Sequence, residues 1–144
     1  MLKLHVLASG SKGNAAIVEN AATGAGVLID CGICKRDFLE RCDEAGFDPT
    51  RLEAVFITHE HGDHTKGLGV VLRGLAKLGC APMVYVNRAC VDNSSTLQKI
   101  AGDFETTTLG AALTLSQDEN ASEGCNGAST CDERVVCAAG LHVI

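Results

Sequence analysis

One short segment of the chain carries an unusual density of metal-ligating side chains. The segment FITHEHGDHTKG holds three of the five histidines of the 144-residue chain, with two acids among them. Imidazole nitrogens and carboxylate oxygens are ligands for Zn²⁺ and other first-row divalent metals. A lone histidine in a loop is ordinarily solvated. Four ligand-type side chains at this close spacing favour a metal site instead, and they are His59, His61, Asp63 and His64.

The flanking patterns predict where this segment lies. The apolar run AVFIT before it indicates a buried strand. Apolar residues at helical spacing after it indicate a helix that begins near Thr65 and is closed by Gly79. The segment is then a tight loop at the rim of a sheet, in which Gly62 supplies backbone freedom. The apolar stripe of the helix consists of Leu68, Val71, Leu72, Leu75 and Leu78.

Two neighbouring pairs of ligands favour two metal ions. Alternation along the loop aims His59 and His61 to one side and turns Glu60 away. Asp63 and His64 follow beside them and form the second pair. Zn²⁺ suits these ligands best, with Mn²⁺ as an alternative. A two-ion site can activate water and stabilise the charge that develops on a displaced ester.

The remaining patterns predict a mixed α/β fold. Three short strands, in LHVL, AAIVEN and VLIDCG, come first, in hairpin-like order and hence antiparallel. A helix ending at Gly46, a strand in PMVYV and a helix from Asn87 to about Ile100 follow. We expect two short strands in ETTTLGAALTL and a strand pair in RVVCAAGLHVI. Residues 1–115 form the main unit, and 116–144 a divergent tail that begins with a polar, acidic loop or disordered segment.

Composition excludes several classes of function. The net charge of −6 leaves no broad basic surface for coating nucleic acid, although an enzyme could still grip phosphates locally through metal ions. No apolar run approaches the roughly 20 residues of a membrane span, and the first residues lack a signal sequence. We therefore expect a cytoplasmic protein without a membrane partner, whose eight cysteines are reduced thiols.

The metal segment and its neighbours resemble a known family. THEHGDH resembles the H-x-H-x-D-H signature of the metallo-β-lactamase superfamily, and VLIDCG resembles the strand of that family that ends in an aspartate, here Asp30. LASGSKGNAAIVE and HTKGLGVVLR are most similar to the YycJ/WalJ-type subgroup, which is associated with exonuclease activity on DNA. The resemblance covers about Leu2 to Val86. It implies a four-layer αββα sandwich with the site at one edge of the sheets.

The resemblance also implies roles for individual residues. His59 and His61 would bind the first metal, and Asp63 and His64 would bind the second. Asp63 is also the residue that we assign to catalysis. Asp30 would orient the loop without binding a metal itself.

The chain departs from the family after His64. The family supplies a later His, a bridging Asp and a final His, whereas here His142 is the only histidine after His64. The SHDA-like and TDTG-like segments of the subgroup are missing, so we expect an incomplete sandwich, from a truncated or frame-disrupted product. One sheet face would then be uncovered, which favours association. His142 is an alternative third ligand, although a histidine at the end of a strand is more often structural.

Two further motifs have both a chemical and a structural interpretation. CGIC, residues 31–34, could be a redox pair or half of a zinc site, but small core residues are the simpler interpretation. Cys125, Cys131 and Cys137, spaced six residues apart, could form a zinc site, but small core residues are again the simpler interpretation. GSKGN lacks the order of a P-loop and predicts a tight turn. Near the rim of the site, Ser9, Ser11 and Asn14 could also contact substrate.

These patterns together predict a metal-dependent hydrolase. The expected reaction is hydrolysis of phosphodiester bonds in nucleic acid, with DNA favoured by the subgroup resemblance. One alternative is a hydrolase of a small ester or thioester. The other is an inactive fragment that only binds metal.

Overall fold

The computed structural model describes residues 1–100 with their side chains. Beyond them it describes only the backbone of residue 101 and of 106–109, 115–116, 136–138 and 141–143. The strands are β1 Leu2–Ala8, β2 Ala15–Asn20, β3 Gly26–Ile29, β4 Leu52–Ile57, β5 Met83–Asn87, β6 Thr106–Leu109, β7 Leu115–Ser116, β8 Val136–Ala138 and β9 Leu141–Val143. The α-helices are α1 Lys35–Ala45, α2 Gly62–Thr65, α3 Leu68–Lys77, α4 Arg88–Asp92 and α5 Ser95–Ala101, and a 3-10 turn spans Pro49–Arg51.

A six-stranded mixed sheet in the order β1-β2-β3-β4-β5-β6 forms the centre of the fold. The first three strands are antiparallel, as the hairpin pattern predicts, and every pair from β3 onward is parallel. Helix α1 follows β3 and α3 follows β4, which are the crossovers that parallel pairing requires. The mixed α/β prediction is confirmed. The predicted strands near the end of the chain correspond to β6 to β9, of which β7, β9 and β8 form a separate three-stranded sheet.

Parallel pairing of β3 with β4 determines where the candidate site lies. Ile29 is the register partner of Phe56, so these two strands end at the same edge of the sheet. Asp30 directly follows β3, and the histidine-rich segment directly follows β4. Residues that are far apart in sequence therefore meet at the carboxyl edge of the sheet, where ligand sites of α/β folds are usually found.

The main core lies between one face of this sheet and the helices. Phe38 and Cys42 of α1 and the apolar stripe of α3 pack against the buried strand residues Ile17, Leu28 and Val55. The caps of α1 explain its bounds: the Cys34 side chain accepts from the N–H of Asp37, and Gly46 ends the helix at φ 69°. The buried faces of α1 and α3 follow from the apolar periodicity of their sequences.

Two details of the helices differ from the sequence prediction. The helix expected to start near Thr65 is two pieces, α2 and α3, and Leu78 lies beyond α3 with 57% of its surface exposed. The helix expected from Asn87 to Ile100 is capped by Asn87, whose side chain accepts from the Ala89 N–H, but it breaks into α4 and α5. Ser94 explains the break, because its hydroxyl accepts from the N–H of Leu97 and starts a new helix.

The face of the sheet opposite the helices carries less packing. A small cluster of Ala25, Val27, Ala54 and Tyr85 covers its centre. At the β1 edge, Leu4 and Val6 are 65% and 61% exposed. The expected uncovered face is therefore seen only at the β1 edge, because Val27 and Ala54 at the centre are 3% and 1% exposed. The predicted tendency to associate stays a prediction. The proposed division into residues 1–115 and 116–144 falls largely outside the described residues, as do the loop and disorder predicted for 116–133. In the described part of the chain, every helix is too short or too polar to cross a membrane.

Candidate metal centre

The histidine loop, residues 58–67, joins β4 to α3 and contains the short helix α2. Its backbone is fixed against the segment that follows β3. The N–H of Cys31 donates to the carbonyl of His64 at 2.8 Å, and the N–H of Gly67 donates to the carbonyl of Cys31 at 3.0 Å. The Asp30 N–H also donates to Phe56 O at 2.8 Å. These bonds hold the backbone of the loop against the sheet edge, which fixes the positions from which its side chains extend.

Two glycines permit this close approach. A Cβ at Gly32 would lie 1.7 Å from the carbonyl oxygen of Asp63, and one at Gly67 would lie 1.6 Å from that of Ile33. Both distances are far below any real contact, and backbone atoms cannot rotate away as a flexible side chain can. The sequence analysis did not identify either residue, because the requirement depends on contacts between distant segments.

Asp30 is the buried centre of the site. Only 6% of its surface is exposed, and its φ of 58° is the left-handed conformation that non-glycine residues rarely adopt. Its Oδ1 accepts from the Thr58 N–H at 2.8 Å. Its Oδ2 accepts from the Thr58 hydroxyl at 2.7 Å and from His64 Nδ1 at 2.7 Å. With three hydrogen bonds already accepted, this carboxylate is suited to hold the loop in place, the role that the family resemblance implies.

The hydrogen bonds around Asp30 determine which nitrogen of each imidazole is free. A carboxylate can only accept, so His64 Nδ1 carries a proton, and in the neutral imidazole the lone pair is then on Nε2. The Thr58 hydroxyl has one proton, which it donates to Asp30 Oδ2. It therefore accepts from His59 Nδ1, 2.9 Å away, and His59 Nε2 is also left with a lone pair. One buried carboxylate thus sets two imidazoles in the form that ligates a metal.

The predicted ligands lie together. The ring centroids of His59 and His64 are 3.9 Å apart, and those of His59 and His61 are 4.6 Å apart. His64 Nε2 lies 3.4 Å from Asp63 Oδ2. Potential ligand atoms of Asp30, His59 and His64 all lie within 4.8 Å of one another. This group includes Asp30, which the family resemblance keeps out of the ligand set, and it does not include His61 or Asp63. Its imidazoles and carboxylate fit a divalent cation by their donor chemistry.

Glu60 lies apart from this group, as alternation along the loop predicts. Its side chain interacts with Cys90 of α4. Burial raises the pKa of the Cys90 thiol, and the charge of Glu60 and its hydrogen bond raise it further. His142, the alternative third ligand, belongs to β9, whose side chains are outside the described residues.

Asn14 links the loop after β1 to the histidine loop. Its backbone N–H donates to Asp63 O at 2.8 Å, and its Nδ2 donates to Asp63 Oδ2 at 3.1 Å. The same Nδ2 lies 3.2 Å from His64 Nε2. The sequence analysis considered Asn14 as a substrate contact, and the structure places its amide against two predicted ligands. Ser9 and Ser11 are exposed on the same loop and do not join the ligand cluster.

The two cysteines of CGIC lie in different surroundings. Cys31 is fully buried, and burial, with smaller effects of Cys42 and Asp30, raises the pKa of its thiol to about 12. Cys34 is exposed and caps α1 by accepting from the Asp37 N–H. A thiol as buried and as weakly acidic as Cys31 is a poor redox group, so the core interpretation is favoured for Cys31. For Cys34 the core interpretation is wrong, because its side chain is exposed. The side chains of Cys125, Cys131 and Cys137 lie outside the described residues.

Thr58 is a functional residue that the sequence analysis missed, although a hydroxyl directly before His59 at a strand end was a usable signal. We expect Thr58→Val to weaken Zn²⁺ binding about tenfold, because the link between Asp30 and His59 is lost while side-chain volume is kept. Thr58→Ser keeps the hydroxyl and should bind as the wild type does. Competition with a chromophoric zinc chelator measures both. Equal affinities for the two variants would contradict the proposed link.

Comparisons with known proteins agree with this geometry. The family described as the metallo-beta-lactamase superfamily matches residues 9–79. The chain is 38% identical over 101 residues to the exodeoxyribonuclease WalJ of Streptococcus pneumoniae, covering 68% of this chain and 35% of that protein. It is 36% identical over 72 residues to the exodeoxyribonuclease YycJ of Bacillus anthracis, covering 50% and 26%. The chain therefore spans about a third or less of these relatives.

Solved structures show the same fold. The metallo-beta-lactamase fold protein YhfI of Bacillus subtilis superposes with a TM-score of 0.53 at 20% identity, covering 80% of this chain and 51% of that one. The short form of human tRNase Z gives 0.52 at 21% identity, covering 73% and 42%. The histidine loop and Asp30 both lie within the matched residues 9–79. From its sequence match and its fold, the chain belongs to the metallo-β-lactamase superfamily.

Proposed function

We propose that this chain carries the metal-binding loop of a hydrolase that cleaves phosphodiester bonds in DNA. The observation that carries this proposal is the pair of imidazoles, His59 and His64, whose Nδ1 atoms are turned toward Asp30 and Thr58, so that Nε2 of each ring is the nitrogen left to face a metal. The exodeoxyribonucleases named above, which share more than a third of their residues with this chain over the matched region, support DNA as the substrate.

Each residue of the loop has a proposed task. His59 and His61 would hold one divalent ion, and Asp63 and His64 a second, with Zn²⁺ preferred over Mn²⁺. Bound ions would supply Lewis-acid activation of water and neutralise charge on the phosphate. Asp30 keeps the two imidazoles oriented.

Asp63 is also the proposed catalytic carboxylate. Its side chain is about one-third exposed, so water reaches it. Its Oδ2 accepts a hydrogen bond from Asn14, which holds the carboxylate in one orientation. An oriented carboxylate open to water can accept the proton that the attacking water loses.

We also propose a cytoplasmic location. The five cysteines within the described part of the chain are free thiols, as expected in a reducing compartment.

The proposal is tested by comparing the wild type with His59→Ala in the presence of added Zn²⁺ or Mn²⁺. We expect His59→Ala to lower kcat/KM for bis(p-nitrophenyl) phosphate and for end-labelled DNA by roughly 100-fold or more. Glu60→Gln, in the same loop but outside the ligand cluster, should retain activity. A glutathione thioester serves as the competing substrate. If wild type and His59→Ala are equally inert, or if only the thioester is cleaved, the proposed function is wrong.

A further inference from the structure

A groove of about 640 Å³ lies between the end of β1, the loop after it, and helix α1. We call it the β1–α1 groove. It lies outside the ligand cluster. Of its lining residues, only Ser9 and Ser11 were considered above, as possible substrate contacts. The lining residues that bear on its chemistry are Ser9, Ser11, Lys12, Ile33, Asp37 and Arg41.

The groove shares a wall with the candidate metal centre. Gly13 lines the groove, and the next residue, Asn14, donates to Asp63. On the other side Ile33 lines the groove, and the preceding Gly32 donates its N–H to the carbonyl of Asn14 at 2.9 Å. Because consecutive Cα atoms are only about 3.8 Å apart, one residue separates the groove from the loop that would hold the metals.

The charge of the groove is opposite to that of the whole chain. Lys12 and Arg41 face one acid, Asp37, whereas the chain carries a net charge of −6. The ammonium of Lys66, which is not a lining residue, lies next to the groove, since it donates to the carbonyl of Lys12. Arg41 pairs with Glu44 at 3.2 Å, but both side chains are more than half exposed. Such surface pairs are weak, so Arg41 is free to contact an anion.

The lining also indicates which part of a ligand it would contact. Two serine hydroxyls and two cations suit phosphate oxygens, and Val6 and Ile33 offer an apolar surface to sugars. None of the described residues that line the groove is aromatic, so it has no platform on which bases could stack. These features favour contacts to a sugar–phosphate chain over contacts to bases.

On the basis of the proposed function, we propose that the β1–α1 groove binds the sugar–phosphate backbone of a single DNA strand next to the phosphodiester to be cleaved. Arg41 and Lys12 neutralise phosphates, and Asp37 opposes them. We expect binding in the groove to be independent of base sequence, because the proposed contacts are to phosphates and sugars.

The test measures binding of a fluorescent single-stranded oligonucleotide by anisotropy, with EDTA present so that no cleavage occurs. We expect Arg41→Gln to weaken binding roughly fivefold and to reduce the slope of log K against log salt by about 0.7, the value for one lost phosphate contact. Arg36→Gln is the matched control. It makes the same charge change on the same helix, but Arg36 is 82% exposed and does not line the groove.

A second pair of variants should act in the opposite direction. Asp37→Asn removes the opposing charge and should strengthen binding, while Asp43→Asn on the same helix, outside the groove, should leave it near the wild-type value. The proposal is overturned if Arg41→Gln matches Arg36→Gln, if Asp37→Asn matches Asp43→Asn, or if the wild type does not bind the strand. Hydrolysis of bis(p-nitrophenyl) phosphate tests the proposed function separately, because this small substrate does not need a DNA strand bound in the groove.

Discussion

Gly32→Ala is expected to abolish measurable Zn²⁺ binding and to lower the free energy of unfolding by about 3 kcal/mol. The added Cβ would lie 1.7 Å from the carbonyl oxygen of Asp63 and 2.9 Å from the backbone nitrogen of Asn14. Both neighbours are backbone atoms, so the only relief is to move the histidine loop away from the edge of the sheet. That movement separates Asp30 from Thr58 and His64.

The matched control for this prediction is Gly62→Ala. Gly62 lies in the histidine loop itself, and a Cβ there would meet nothing within 4 Å. The backbone freedom expected of Gly62 is not used, because it is the first residue of α2 and its φ is not positive. This variant should keep both stability and metal affinity. Urea unfolding curves give the free energies, and calorimetric titration with Zn²⁺ gives the affinities. If Gly32→Ala binds Zn²⁺ as Gly62→Ala does, the described contact between the two loops is wrong.

Asp30→Asn is expected to lower Zn²⁺ affinity by about 10- to 100-fold. Asparagine has nearly the same shape and tolerates the positive φ of this position, so the backbone need not change. Its amide nitrogen, however, cannot accept a hydrogen bond. In the wild type, Oδ2 of Asp30 accepts from both the Thr58 hydroxyl and His64, and Oδ1 accepts from the Thr58 N–H. The amide satisfies only part of this set, so the imidazoles are no longer held in the ligating form.

Asp43→Asn is the control for the loss of one negative charge, because Asp43 is exposed on α1. Asp30→Asn should unfold at a lower urea concentration than Asp43→Asn, because a buried donor loses its acceptor, and it should remain folded without urea but bind Zn²⁺ more weakly. An Asp30→Asn protein that binds Zn²⁺ as tightly as Asp43→Asn would show that the buried carboxylate does not organise the site.

The histidine loop could be predicted from the sequence because the residues that define it are close together in the chain. Apolar periodicity placed a strand before it and a helix after it, and the ligand spacing is visible within six residues, from His59 to His64. The role of Asp30 came from the family resemblance, and the parallel register of β3 and β4 gives it a physical basis.

Features that depend on contacts between distant segments could not be predicted in the same way. Gly32 and Gly67 are ordinary glycines in the sequence, and only the meeting of two backbones makes a Cβ impossible there. Thr58 acts through a carboxylate that lies 28 positions earlier in the chain. The break between α4 and α5 has a different origin, because the serine cap that causes it is local but competes with a continuous helical pattern.

The most direct test of the central claim is the Zn²⁺ content and binding of the dialysed, chelator-free protein. We predict that the wild type binds two Zn²⁺ ions per chain in a calorimetric titration, confirmed by elemental analysis, and that His59→Ala/His64→Ala loses this binding while remaining folded by circular dichroism. A wild type that binds no more Zn²⁺ than the double variant would contradict the assignment of the histidine loop as a metal site.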